Sequence, residues 1–290
     1  MSIEKGEHMA FIKAALLLSV LSAATAQAAD SYFVNQRKEA SMLLTGMVTI
    51  DPSGSVVGYT LDHPEKLPQP VKDIVKQNVD RWKFQFVSAS ATPASEHMSL
   101  RLVARMIDDQ HASMRVAGTS FDDAQSDASE TIGYKTRPVV EYPKEAIEAR
   151  AWGAVYLLVR VGPDGSVLDA SAEQVNLGAF APSADMARYR KYLADAAIKG
   201  TKKALFTVPA KGKLAGQPYW LVRIPVSFLP VGQRNADDFG TWSVYVPGPR
   251  MDVPWLEHPQ LAAGAPDTVP DGSLHVLDGQ PSLSNDGGGS

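Results

Sequence analysis

Gly153-Ala154-Val155-Tyr156-Leu157-Leu158-Val159-Arg160-Val161-Gly162-Pro163-Asp164-Gly165-Ser166-Val167 runs from an apolar stretch through a turn into a second apolar stretch. Gly46-Met47-Val48-Thr49-Ile50-Asp51-Pro52-Ser53-Gly54-Ser55-Val56-Val57 follows the same plan, and both turns end in Gly-Ser-Val. Proline at the second turn position and glycine at the fourth suit a type I turn. Each stretch predicts a β-hairpin, and their likeness predicts an internal repeat.

A helix is predicted after each hairpin. Val71, Ile74, Val75, Val79 and Trp82 recur at three- and four-residue steps, with Pro70 where a first-turn proline is tolerated. Tyr189, Tyr192, Leu193, Ala196, Ala197, Gly200 and Ala204 make the second stripe. A strand is predicted after each helix. Leu100, Leu102, Ala104 and Met106 alternate with Arg101, Val103 and Arg105; Trp220, Val222, Ile224, Val226 and Phe228 alternate with Leu221, Arg223, Pro225 and Ser227. Such alternation marks a strand with one buried and one wet face. The expected fold class is α+β: tandem small domains, each a three-stranded antiparallel sheet covered by a helix, in the order β-β-α-β.

The rest of the chain is placed around these units. Lys13, the apolar run from Ala14 to Ala24 and Ala26-Gln27-Ala28 follow the plan of a cleavable secretory signal over residues 1–28. The run is shorter than the roughly 20 apolar residues a membrane span needs. The expected location is the periplasm, with no stable membrane anchor after cleavage; an uncleaved signal would instead anchor the chain in the inner membrane. Residues 40–108 hold the first unit and 137–230 the second. Asp122, Asp123, Asp127 and Glu130 make residues 109–136 an expected acidic linker. Residues 231–290 read as a proline-rich tail with a disordered end, in which Trp242 to Val246 forms one further strand able to cap a sheet edge. Phe239, Trp242, Tyr245 and Trp255 are read as a tail pinning itself on a domain rather than as a binding surface.

The second unit resembles the C-terminal domain of TonB, the envelope protein that links an inner-membrane motor to outer-membrane transporters. The resemblance rests on Tyr142-Pro143-x-x-Ala146, Gly153-x-Val155, Asp164-Gly165-x-Val167, Ala204-Leu205-Phe206, Gly216-x-Pro218 and Ile224-Pro225-Val226-x-Phe228. Pro143 suits a first helical position, Gly153 a helix stop and Asp164-Gly165 a hairpin turn. The first unit is similar at Gly46-x-Val48, Gly54-x-Val56 and Trp82-x-Phe84, and lacks the Tyr-Pro start. The second has Ala204 where the family places that tryptophan.

The resemblance implies an exposed final strand at a sheet edge. There a protein or peptide segment, such as part of an outer-membrane receptor, would add by backbone pairing. Leu221, Arg223 and Ser227 are the expected exposed contacts. Pro225 suits an edge because it has no amide to give to a central ladder. The family's long spacer is missing: residues 29–45 cannot cross a periplasm at about 3.6 Å per residue.

The sequence argues against other chemistry. Net charge is −4, which offers no general attraction to nucleic acid. The absence of cysteine removes disulfides, thiolate metal sites and a cysteine nucleophile. His63, His97, His111, His258 and His275 lack ligand spacing and are expected on surface or loops. No nucleotide-binding, metalloprotease or serine-hydrolase motif is present. No cofactor, metal or catalytic residue is therefore expected. A non-enzymatic, peptide-binding envelope protein linked to outer-membrane transport is the leading expectation. Its rival is an envelope scaffold in which units pair edge to edge, within a chain or as a homodimer.

Overall fold

The computed structural model describes residues 39–85, 92–106, 112–123, 127–178, 180–230, 232, 239–262, 264–278 and 282–283. The signal reading and the end of the tail lie outside them. The fold is α+β, with mostly antiparallel sheets and few helices. Among the described residues, no helix is long and apolar enough to cross a membrane.

The first half contains β1 (Glu39–Ile50), β2 (Val56–Leu61), α1 (Gln69–Val79), β3 (Phe84–Gln85), β4 (Ala94–Met106) and β5 (Ala112–Asp123). β1 is long enough to pair with β4 from Ala40 to Ile50 while its other side holds β2 from Gly46 onward. Val71, Val75 and Val79 of α1 fill the space against Met42, Leu44, Val48 and Ile50. Trp82, Phe84 and Phe121 meet edge-on, with centroids 4.8–6.2 Å apart, which favours the ring quadrupoles.

The second half contains β6 (Gly133–Thr136), α2 (Lys144–Glu148), β7 (Gly153–Val161), β8 (Val167–Leu177), α3 (Ser183–Thr201), β9 (Leu205–Thr207) and β10 (Trp220–Phe228). β7 lies between β8 and β10. Met186, Leu193 and Ala197 of α3 pack over one face of that sheet. The tail adds β11 (Ser243–Tyr245), β12 (His275–Val276) and β13 (Ser282–Leu283).

The two hairpin turns are built alike. Ser53 and Ser55 donate backbone amides to the Asp51 carboxylate at 2.8 and 2.9 Å. Ser166 does so to Asp164 at 2.9 Å. The seryl hydroxyls add further bonds, and these contacts hold both carboxyls below the usual carboxylate range. Gly54 and Gly165 both have φ +80°. A Cβ at Gly54 would stand 2.1 Å from the Phe84 carbonyl oxygen, and one at Gly165 2.1 Å from that of Phe206. Phe84 and Phe206 each donate their amide to that glycine's carbonyl at 2.8 Å. The strand after each helix is thus latched onto the preceding turn.

Several expectations need correction. Among the described residues the two large sheets have five and four strands rather than three each, beside two two-stranded sheets, β13–β3 and β6–β9. Residues 112–123, expected within the acidic linker, form β5, because Met114, Val116 and Phe121 share an apolar face that a bulge and Gly118 disguise. The rest of that linker is partly β6, with a turn at Asp127–Glu130. Pro143 precedes helix α2 as its N-cap residue instead of occupying its first position. Arg150, at φ 53°, makes the left-handed stop, and Gly153 opens β7. Gly153 is needed for a close approach: its Cβ would lie 2.1 Å from the Asn176 carbonyl oxygen.

Candidate functional site

β10 pairs with β7 along its whole length, from Trp220 opposite Val161 to Phe228 opposite Gly153. Its other edge is the expected acceptor. That edge is occupied by the chain's own tail. Val276 lies opposite Val222 and His275 opposite Arg223. The Leu277 amide donates to the Leu221 carbonyl at 2.9 Å. The Leu221 amide donates to the Asp278 carboxylate at 2.8 Å. Farther along, Ser227 Oγ donates to the Asp271 carboxylate at 2.9 Å.

The outward amide of Leu221 sets the phase of the edge. Steps of two place Arg223, Pro225 and Ser227 on the same outward phase. Pro225 therefore lacks its amide on the edge side and withdraws nothing from the ladder to β7. It also lies beyond the two residues that β12 pairs with.

The expected exposure of these residues is not observed. Leu221 is 0% exposed, Arg223 is 3% exposed and Pro225 is buried, while Ser227 is partly covered. The face of β10 away from α3 is roofed by the tail. Leu221 packs with Leu158 and Ala262, and around them stand Val253, Trp255, Leu256 and Leu277.

Arg223 enters a buried charge network. It donates through Nε and Nη2 to Glu173 at 2.7 and 3.0 Å, a bidentate pair, and to the Ala262 carbonyl at 2.5 Å. Arg250 of the tail reaches the same Glu173 at 3.2 Å and the Ala262 carbonyl at 2.6 Å. Burial lowers the Arg250 pKa, and the Glu173 charge opposes that shift. Glu173 is 1% exposed, so these partners stand in for the water its carboxylate has lost.

The same tail joins the two halves. β11 pairs with the start of β1. Leu177 and Val246 exchange backbone bonds at 3.0 and 2.7 Å, and the Met251 amide donates to the Glu173 carbonyl at 2.8 Å. Arg101 of β4 donates to the Asp267 carbonyl at 2.6 Å, and Asn176 of β8 to the Asp267 carboxylate at 3.4 Å. Burial, with the charges of Asp267 and Glu39, pushes the Tyr245 hydroxyl pKa up. His275 Nδ1 lies 2.7 Å from the Asp122 carboxylate. His275 is a buried strand residue, which corrects its expected place on surface or loop. Asp122 likewise has a partner in the tail instead of only solvent.

The aromatic residues of the tail are dispersed. Phe239 joins the first core, Tyr245 sits in β11, and Trp255 donates Nε1–H to Ser171 Oγ at 2.8 Å. The Arg160 guanidinium lies 5.2 Å from the Trp255 ring centroid and 5.5 Å from that of Tyr219. Among the motif residues, Tyr142 donates its hydroxyl to the Ala151 carbonyl at 2.8 Å and meets the Phe228 ring at 5.4 Å. Burial raises its pKa. Tyr142 and Pro143 line an open groove of about 480 Å³ against Tyr192 and Lys199 of α3. Asp164 and Gly165 form the hairpin turn, far in role from any edge contact. Among the described residues no group of three or more histidines and carboxylates is placed to hold a metal ion.

Sequence reasoning missed Glu173, Arg250, Asp267 and Asp278. Each belongs to a contact between residues more than forty positions apart, and no local spacing carries that signal. No model of a known protein family, no curated protein and no solved structure matches this chain.

Proposed function

We propose that this chain is an exported, non-enzymatic protein of the cell envelope that takes up an extended segment of a protein partner by strand addition at β10. In this reading each half is a copy of a TonB-like β-β-α-β unit, the first diverged. The partner is a peptide segment of an outer-membrane receptor in TonB-dependent transport, and the location is the periplasm. No cofactor or metal takes part.

The pairing of residues 275–278 with Leu221–Arg223 carries the proposal. An edge that already holds two-residue strand pairing plus a carboxylate has the right geometry for an added strand. A partner gains the edge only by displacing the tail, so its apparent affinity falls by the fraction of chains whose edge is free. A synthetic peptide of residues 271–278 tests this on the full chain. Binding that strengthens in the Asp278→Ala variant supports strand exchange; no binding to either chain contradicts it.

A rival reading is a rigid scaffold in which the tail is a permanent strap. The buried Arg223–Glu173 pair favours it, since opening the strap withdraws the half-exposed Arg250 and the Ala262 carbonyl from those two residues. Under that reading the Asp278→Ala variant loses stability and gains no peptide binding.

A further inference from the structure

The tail closes sheet edges one after another: β11 lies on β1, residues 246–251 on β8, β12 on β10 and β13 on β3. β5 is partly screened where Gly118 meets Ala265 and Thr268. Among the described residues, the outer edge of β2 pairs with nothing beyond a single bridge from Ser55 to Lys83.

β2 reads Val56-Val57-Gly58-Tyr59-Thr60-Leu61, with no charge and no proline. Val57 is 60% exposed. The Asp62 amide donates to the Thr45 carbonyl at 2.9 Å, which sets the phase of the β1–β2 ladder. Antiparallel alternation then turns the amides and carbonyls of Tyr59 and Leu61 away from β1. The register shift opposite Thr49 and Ile50 is confined to the Val56 end. Such an uncharged, unpaired edge is a template for another strand, because native edges are usually blocked by lysine, proline or a covering segment.

We propose that β2 pairs antiparallel with β2 of a second copy of this chain, about a two-fold axis at Tyr59. An antiparallel pairing of one segment with itself has that symmetry built in. In this register Val57 of one copy lies opposite Leu61 of the other, and the pairing stops short of Ser55, whose outer side Lys83 already holds. The charges at the two ends then complement each other. Lys83 Nζ donates to Ser55 Oγ at 2.5 Å, which puts a cation at the start of β2. Asp62, which accepts from Thr45 Oγ1 at 2.6 Å, puts an acid at its end. The pairing brings Lys83 of each copy beside Asp62 of the other, twice. Asp51 at the start accepts from Ser53 and Ser55 and also lies in the field of Lys83, so Lys83 is shared between it and the other copy's Asp62, and Glu65 beyond the end lies 3.5 Å from His63. A six-residue strand spans about 20 Å, so the interface falls near or below the roughly 1,200 Å² of the smallest stable complexes and the dimer belongs to the weak, transient class.

The proposal goes beyond strand capture at β10 and does not rest on it. Sedimentation velocity of the full chain, across micromolar to sub-millimolar concentrations, tests it. The expected result is a concentration-dependent two-fold rise in mass. Gly58→Lys is the first variant, because a Cβ at Gly58 meets nothing within 4 Å and the φ angle is ordinary. It places charge at the centre of the edge without disturbing the fold. Val57→Lys is the second. Each is expected to remain monomeric, with melting temperature and peptide capture at β10 unchanged. A wild-type chain that stays monomeric overturns the proposal. So does a dimer that survives both variants, or a monomer whose Tyr59 and Leu61 amides are protected by a foreign extended peptide.

Discussion

The Leu221 amide donates to the Asp278 carboxylate at 2.8 Å, so a side chain of the tail completes the hydrogen bonding of a strand edge 57 residues upstream. The Asp278→Ala substitution removes that acceptor and leaves the Leu277-to-Leu221 bond as the neighbouring tie. Amide exchange at Leu221 and Leu277 should quicken in the variant by about tenfold, the effect of one hydrogen bond of about 1.5 kcal/mol. Exchange in β1 and β4 should not change. Unaltered exchange at Leu221 would show that the carboxylate contributes nothing to tail docking.

Tail docking should also depend on pH. Burial raises the Asp278 pKa above its ordinary 3.8. An acid whose folded pKa is raised contributes stability that is present below its unfolded pKa and is lost as pH rises through the folded one. The wild-type chain should therefore lose melting temperature relative to Asp278→Asn as pH climbs from the ordinary carboxylate range through that raised value. A difference that grows in the wild type's favour with rising pH would contradict the assignment.

Glu173 is the buried carboxylate partner of Arg223, so removing it strands that guanidinium and takes one acceptor from the half-exposed Arg250. Glu173→Ala should cost about 3–5 kcal/mol in denaturant unfolding, as expected when one partner of a buried pair is deleted. Replacing the pair together, with Glu173→Leu and Arg223→Met, should recover most of that loss. Equal losses in both variants would mean that the contact is packing rather than charge.

Two glycines should behave oppositely. Gly165→Ala forces a left-handed alanine, at about 1–2 kcal/mol, and sets its Cβ 2.1 Å from the Phe206 carbonyl. Gly58→Ala meets no atom and should be neutral or stabilising by about 0.4–1 kcal/mol. The midpoint of urea unfolding separates the two.

The legible parts of the fold were local. The Asp51 and Asp164 turns, the Val71–Val75–Val79 stripe and the alternation of 220–228 each repeat within a few residues, and each forms the element its period implies. Leu221 and Arg223 lie on the strand that the alternation predicts, but they are buried, and β12 lies outside that strand. The alternation identifies which residues share a face; it does not say what covers that face. Val253, Trp255, Leu256 and Ala262 cover it from thirty residues away or more, out of a stretch whose prolines read as open chain, while His275, Val276 and Asp278 close the strand's edge. β5 was hidden for a different reason. Its apolar Met114, Val116 and Phe121 lose the two-residue period at the bulge opposite Arg101 and Leu102.

The central claim is that β10 is a strand-accepting edge held by the chain's own tail. The chain contains no cysteine, so Val222→Cys with Val276→Cys adds a single pair at positions that face each other across β10 and β12. The measurement is titration of the 271–278 peptide into this full-chain variant, oxidised and then reduced. The account predicts no binding while the disulfide locks the tail, and binding restored on reduction. Binding that is the same in both states, or absent in both, would contradict it.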